Sequence, residues 1–346
     1  MKQLNFAIVG CGVIALTHAK AMKQTEECHL YAVCDIIPEK ADKFAAEHGA
    51  EKAYYDYHEL LADTKVDAVC VCVPSGIHGE VCIAASNAGK AIVCEKPMEI
   101  TPEKIAEVIR VVEQNHTKMQ CIFQRRMMPV AIAVKKAVEE GKFGKIVLAD
   151  AYLKYYRDQD YYNSAGWRGT WELDGGGALM NQGIHGISLL LHLMGGVRAV
   201  TAQTRTSFHS IETEDTAAAL VEFQNGAVGT IHASTAAYPG SPRVLRISGS
   251  AGTAELTEDR LTRWALPAES WIREASETAA SDPQALGWEG HRLQLEDFVR
   301  AIREGQQPQA GLEEGCRPVE LILSMYRSAE TGRRVEVENF RLGACG

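Results

Sequence analysis

The stretch FAIVGCGVIA, residues 6–15, constrains the fold of this chain more than any other. An apolar run breaks at Gly10-Cys11-Gly12 and resumes with the helix-compatible residues Val13, Ile14 and Ala15. This G-x-G-x-x-A spacing is a variant of the dinucleotide fingerprint. The first glycine permits the tight turn, and the second lets backbone approach a pyrophosphate at the helix N-terminus. Asp35 closes the next strand 20 residues after Ala15, where a carboxylate would bind the hydroxyls of an adenosine ribose. Glycine turns alone are common, but joined to Asp35 this one specifies a dinucleotide site. The carboxylate would repel a 2′-phosphate, and Ile36 and Ile37 supply no arginine to accept one, so NAD is favoured over NADP. Lys40, one helical turn on, is the cation that could still reach. Gly10, Gly12, Val13, Ile14 and Asp35 are the first candidate cofactor contacts.

Around this turn the chain alternates between short apolar runs and helical segments. "LNFAIVG", "HLYAVCD", "VDAVCVCV", "AIVCE" and "KMQCIF" read as strands. Helices are predicted over 13–24, over 38–48, near 77–89 and from about 102, where Thr101 serves as N-cap and Pro102 takes the first position. Wholly apolar strands separated by helices form a parallel sheet covered on both faces. The expectation is an α/β chain whose residues 1–123 make a doubly wound Rossmann domain.

Such folds bind ligands at the carboxyl ends of their strands. Pro74, Ser75 and His78 follow "VCVCV" and are offered as cofactor contacts, although His78 reads equally well as a solvated residue at a helix start. Glu95-Lys96-Pro97 follows "AIVC". Two charges at the tip of a buried strand cost desolvation unless they are paired or used. Oxidising a secondary alcohol with NAD requires taking the hydroxyl proton as hydride leaves the carbon, and Lys96 can take it when neutral. Glu95 would anchor the backbone or pair with the nicotinamide amide, and Pro97 fixes the turn.

After residue 123 the texture changes, and residues 124–346 read as a second domain for substrate binding and oligomerisation. A helix near 128–140 and the strand "IVLADAYLKYY" lead into a polar, aromatic loop, then a helix near 177–194. "AVTAQTRTSF", "DTAAALVEF", "AVGTIHAST" and "RVLRISG" alternate as a large, mostly antiparallel open sheet would, with one face buried. Residues 266–290 look least regular, and helices near 290–304 and 315–331 close the chain. Asn181 and His185 stand four apart, on one helix face. His185 would handle a second proton and Asn181 would orient it, whereas His192, in an apolar run, suits packing. The three glycines before that helix permit close approach of backbone to substrate or neighbouring domain. Arg168 could clamp a hydroxyl pair, carboxylate or phosphate. Tyr155, Tyr156 and Tyr162 offer flat surface for a sugar ring, with Tyr156 the preferred contact. Arg125 and Arg126 suit either substrate or an interdomain salt bridge.

Composition narrows the partners. A net charge of −9 argues against nucleic acid. The ten cysteines include no C-x-x-C pair and no spacing suited to zinc, so they read as reduced and no metal is expected. The chain opens directly into a strand, and no apolar stretch approaches a membrane span. The expectation is a soluble, cytoplasmic protein with a small-molecule partner.

"GCGVIA", "VCVPSGIH", "CEKP", "WRGTWELDGGGALMNQGIHGI" and "ILSMYRSAETGRRVEV", in that order, resemble the Gfo/Idh/MocA family across essentially the whole chain. The resemblance implies hydride transfer at a secondary alcohol of a sugar, cyclitol or sugar derivative, and assembly as a homodimer or homotetramer. By position Lys96 matches the family's catalytic lysine and His185 its common catalytic histidine. Asn181 stands where many members have an aspartate that supports the histidine, and Ser188 where many have a second acidic residue. Both departures make Lys96 the better candidate for the base and weaken a literal inositol dehydrogenase reading. Two other readings share these motifs: a glycoside hydrolase or lyase that recycles a bound NAD through transient sugar oxidation, and a non-catalytic NAD sensor. Intact Lys96 and His185 weigh against the sensor.

Overall fold

The computed structural model describes residues 3–272 and 287–337. Its first part is β1 (Leu4–Val9), α1 (Val13–Lys23), β2 (Cys28–Cys34), α2 (Pro38–His48), β3 (Lys52–Tyr54), α3 (Tyr57–Ala62), β4 (Ala68–Val71), α4 (His78–Asn87), β5 (Ala91–Cys94), α5 (Pro102–Gln114) and β6 (Met119–Cys121). The helices start where the chain supplies caps. Asp56 accepts the His58 N–H at α3, and Thr101 accepts the Lys104 N–H at α5, followed by Pro102. The six strands run parallel in the order β3-β2-β1-β4-β5-β6. The order reverses between β1 and β4, so the carboxyl ends of these two strands form the crevice at which doubly wound sheets bind ligands.

The remaining elements are α6 (Pro129–Glu139), β7 (Ile146–Lys154), α7 (Gln159–Asn163), α8 (Ile184–Met194), β8 (Val197–Arg205), β9 (Thr216–Phe223), β10 (Val228–Ser234), β11 (Val244–Gly249), β12 (Gly252–Thr257), β13 (Arg260–Leu266), β14 (Glu269–Ile272), α9 (Glu289–Glu304), α10 (Leu312–Thr331) and β15 (Val335–Glu336). The second sheet has nine strands in the order β14-β13-β12-β11-β7-β10-β9-β8-β15. Among the described residues only β7 and β10 pair parallel within it, and the other pairs are antiparallel. Alternate residues such as Ala149, Ala151, Leu153, Val221 and Ile231 are buried, and α8 packs against β7. On the alternate positions Leu148, Leu220 and Val228 are exposed among polar residues. Order extends further than the sequence suggests, since β13 runs through Leu266 and β14 follows; residues 273–286 lie outside the described part. No helix of the described residues is long and apolar enough to cross a membrane.

The sequence reading draws one boundary near residue 123, but the chain forms two compact units with a return. Residues 287–316 group with the first unit, and residues 125–272 and 317–337 form the second. The return has a physical cause. Leu295, Phe298 and Val299 of α9 are buried in the same core as Phe6, Ile8, Ala15 and Val33, each large apolar side chain contributing about 1.5–3 kcal/mol.

Candidate active site

The turn after β1 is shaped by its glycines. Gly10 has φ +95°, and a Cβ there would sit 2.6 Å from the Cys72 carbonyl oxygen. Gly12 caps α1 without a side-chain hydrogen bond, and no acidic residue occupies the helix's first turn. The Ala15 N–H bonds to the Gly12 carbonyl at 3.2 Å, which leaves the Val13 and Ile14 N–H groups at the start of α1 to face an anion. A Cβ on Gly12 would meet nothing within 4 Å, so the helix N-terminus is open there. Asp35 braces the same turn: Oδ2 accepts the Cys11 N–H at 2.9 Å and Oδ1 the Ile37 N–H at 3.0 Å. A carboxylate has further lone pairs for ribose hydroxyls. Burial, reinforced by the Asp35 charge, pushes the Cys11 thiol up to about 12, which keeps it protonated. These residues fit a dinucleotide, with Val13 exposed and Ile14 half-buried beside the turn.

Glu95 and His78, both offered to the cofactor by the sequence, are buried and otherwise engaged. Glu95 Oε1 lies 2.8 Å from His18 Nε2 and 3.3 Å from His291 Nε2, and Oε2 accepts the Lys96 N–H at 3.2 Å. Burial opposes the charge on Glu95, but the two histidines outweigh it and hold the carboxyl well below its usual range. His18, Glu95 and His291 would be close enough to share a metal ion, yet the spacings are those of hydrogen bonds. His78 is not solvated: Nδ1 contacts the Pro97 carbonyl at 2.6 Å and Nε2 the Val73 carbonyl at 2.8 Å. It ties the loop after β4, which contains half-buried Pro74 and buried Ser75, to the loop after β5. Lys96 is half-buried between these anchors, and its bond to Pro97 is cis.

The second unit carries its own polar cluster. Ala178–Gly183 form a π-helical turn that runs directly into α8, a local widening often found at functional sites. Asn181 lies in that turn and His185 in the first turn of α8. Asp174 supports Asn181 through its Nδ2, while its other oxygen accepts the Gly169 N–H at 2.9 Å. A carboxylate is thus bonded to Asn181 itself, at the position where the chain carries an amide. Tyr161, not singled out by the sequence, is the hub: its hydroxyl accepts from Arg168 at 2.5 Å and Gln182 at 2.8 Å. Arg157 donates to Gln182 Oε1 at 2.9 Å. The Arg168 guanidinium stacks 4.3 Å from the Tyr161 ring and 4.8 Å from the Trp167 ring, and among the described residues no carboxylate pairs with it. Tyr156 is not part of this cluster; its ring packs edge-on against Tyr238. Tyr162 is buried, with its hydroxyl on Thr235.

Other candidates have structural duties within this unit. Arg125 pairs with Asp259, itself shared with buried Arg243. Arg126 donates to Ser188 Oγ at 2.9 Å. Burial, with Arg126 and Lys135 nearby, lowers the pKa of His192 to about 4, in keeping with neutral packing.

Residues 4–123 match the model of an oxidoreductase family with an NAD-binding Rossmann fold, and residues 131–255 match a GFO/IDH/MocA C-terminal domain. The protein is thus an NAD-binding oxidoreductase, a dehydrogenase by class. The WlbA dehydrogenase of Bordetella pertussis, solved with NADH and UDP-GlcNAcA, is 31% identical, with a TM-score of 0.87 over 98% of this chain and 100% of that one. The chain belongs to the Gfo/Idh/MocA family. Myo-inositol 2-dehydrogenase of Thermotoga maritima is 27% identical over 97% of this chain and 99% of its own. D-glucoside 3-dehydrogenase of Escherichia coli is 26% identical over 96% and 97%.

Proposed function

We propose that the protein transfers hydride between NAD and a secondary alcohol of a sugar, cyclitol or sugar derivative, and that its substrate carries an anionic group. Lys96 takes the hydroxyl proton, His185 is the second proton-handling group, and Asn181 orients it. Bound NAD supplies the hydride acceptor; the chain's own residues bind, orient and move protons. The observation that carries the anionic reading is Arg168, a guanidinium that lies against the Tyr161 and Trp167 rings with no carboxylate partner among the described residues. Arginine in that setting recognises carboxylates and phosphates through paired N–H groups. The WlbA dehydrogenase was solved with UDP-GlcNAcA, a ligand with both groups, which supports the same direction.

The test follows NADH formation across neutral inositols and alkyl glycosides against uronic acids and nucleotide-linked uronic acids. Turnover with NAD should favour the anionic set. Lys96→Ala should lower kcat by about 10²–10⁴-fold. Arg168→Ala should raise KM for the anionic substrate by about tenfold or more, as one charge-assisted contact is lost, without moving KM for NAD. Equal turnover of neutral sugars would remove the anionic reading. Cleavage of a glycoside without net NADH would replace the dehydrogenase with a recycling hydrolase.

A further inference from the structure

Glu214 lies between β8 and β9, 3% exposed, and takes no part in the chemistry proposed above. Its Oε1 accepts the Leu179 N–H at 2.7 Å and the Tyr326 hydroxyl at 3.0 Å, and its Oε2 accepts the Gly177 N–H at 3.1 Å. Its backbone carbonyl accepts the Ala178 N–H at 3.0 Å. One residue therefore holds three successive N–H groups at the entrance to the π turn. These are the donors a helix leaves without internal partners, and a carboxylate complements the positive end of the helix. The glycines are part of the same fitting. A Cβ on Gly177 would run into the Glu214 carbonyl, and one on Gly176 into the Tyr326 hydroxyl. The close approach the sequence implies is thus to Glu214 and Tyr326.

We propose that Glu214 is a positioning residue: its carboxylate fixes the turn carrying Asn181 and leading to His185, and its protonation releases the Gly177 N–H and loosens that turn. Turnover then depends on a group that touches neither substrate nor cofactor. This rests on the assignment of His185 to proton handling.

Two influences oppose each other at Glu214. Both oxygens accept, which suits the ionised form. Burial favours the neutral form and dominates, pushing the carboxyl up to about 7. The titratable groups facing it are Tyr326 of α10, Tyr162 of α7 and Asp174 of the preceding loop. Both hydroxyls are pushed up by burial and stay protonated, and Asp174 is taken up by Gly169 and Asn181. Neighbouring Asp215 accepts the Ser207, Phe208 and His209 N–H groups. No cation pairs with Glu214 among the described residues.

Hydrogen exchange of the NAD-bound enzyme, read by mass spectrometry over residues 176–183 from pH 6 to 8 and corrected for intrinsic rates, tests this. Wild-type protection should rise by up to about tenfold, centred near pH 7, as the carboxylate forms. Glu214→Gln keeps one acceptor and should stay flat at the pH 6 level. Tyr326→Phe removes a donor to the carboxylate and should move the step to higher pH, which decides the matter should Glu214→Gln not fold. With the substrate found above, kcat should lose the same step in Glu214→Gln while KM for NAD stays unchanged. A wild-type profile without the step, or a step retained in Glu214→Gln, overturns the proposal. A step in protection with none in kcat overturns the assignment of His185 instead.

Discussion

Glu95 illustrates how much a single enclosed side chain depends on its donors. Without His18 and His291, burial would favour its protonated form; with them it stays ionised and keeps hold of the Lys96 N–H. Its pKa is depressed on folding, so the stability it contributes is present above the ordinary glutamate range and lost as pH falls through the folded value. His18→Ala should therefore cost about 1–3 kcal/mol at pH 7, the price of a buried acceptor left short of a donor. Urea midpoints would measure it, and the gap to wild type should narrow as pH falls below 4. A constant gap would mean that packing around the imidazole, not the charge, is what the histidine provides.

The two glycine-bearing elements make opposite predictions. Gly12→Ala meets open space, so its stability should stay within about 0.5 kcal/mol of wild type, while NAD affinity falls by tenfold or more because the added methyl occupies the approach to the α1 N-terminus. Gly177→Ala strikes the Glu214 backbone and should destabilise the fold by several kcal/mol. Denaturation and NAD titration of both variants separate the cases. The first element was legible because its signals are local: an apolar strand, a glycine turn and Asp35 all lie within one supersecondary unit. The second was legible only in part. "ALMNQG" has ordinary helical composition, and the extra width of its turn accompanies contacts to Glu214, 35 residues after Leu179. Tyr161 was missed for a like reason, since only the fold brings it to Arg168 and Gln182, whereas Tyr156 looked equivalent in the chain. His78 could be read from the chain as a cofactor contact or as a solvated residue, because nothing local announces the two carbonyls that enclose it.

At the scale of the molecule, NAD binding is also a folding term. A ligand at 100 times its Kd adds about 2.7 kcal/mol to the folded state, so NAD should raise the melting temperature by a few degrees and NADP should not. Asp35→Ala should shrink the NAD shift and narrow that difference, as seen by thermal scans at matched nucleotide concentration. Equal shifts from both nucleotides in wild type would show that Asp35 does not discriminate.

The return of α9 to the first unit has a bearing on descent. His291 reaches Glu95, and the Gln294 side chain bonds to Cys121 and Phe123, so residues about 170 to 200 positions later in the chain complete what residues 95–123 begin. A single recombination near codon 124 would join residues 1–124 from one ancestor to an α9 evolved against another. Exchange of intact parts needs three breakpoints, one near residue 124 and one on each side of the returning segment. Lineages of this chain are thus bound to inherit its head and its late helix together, or to repair the mismatch afterwards.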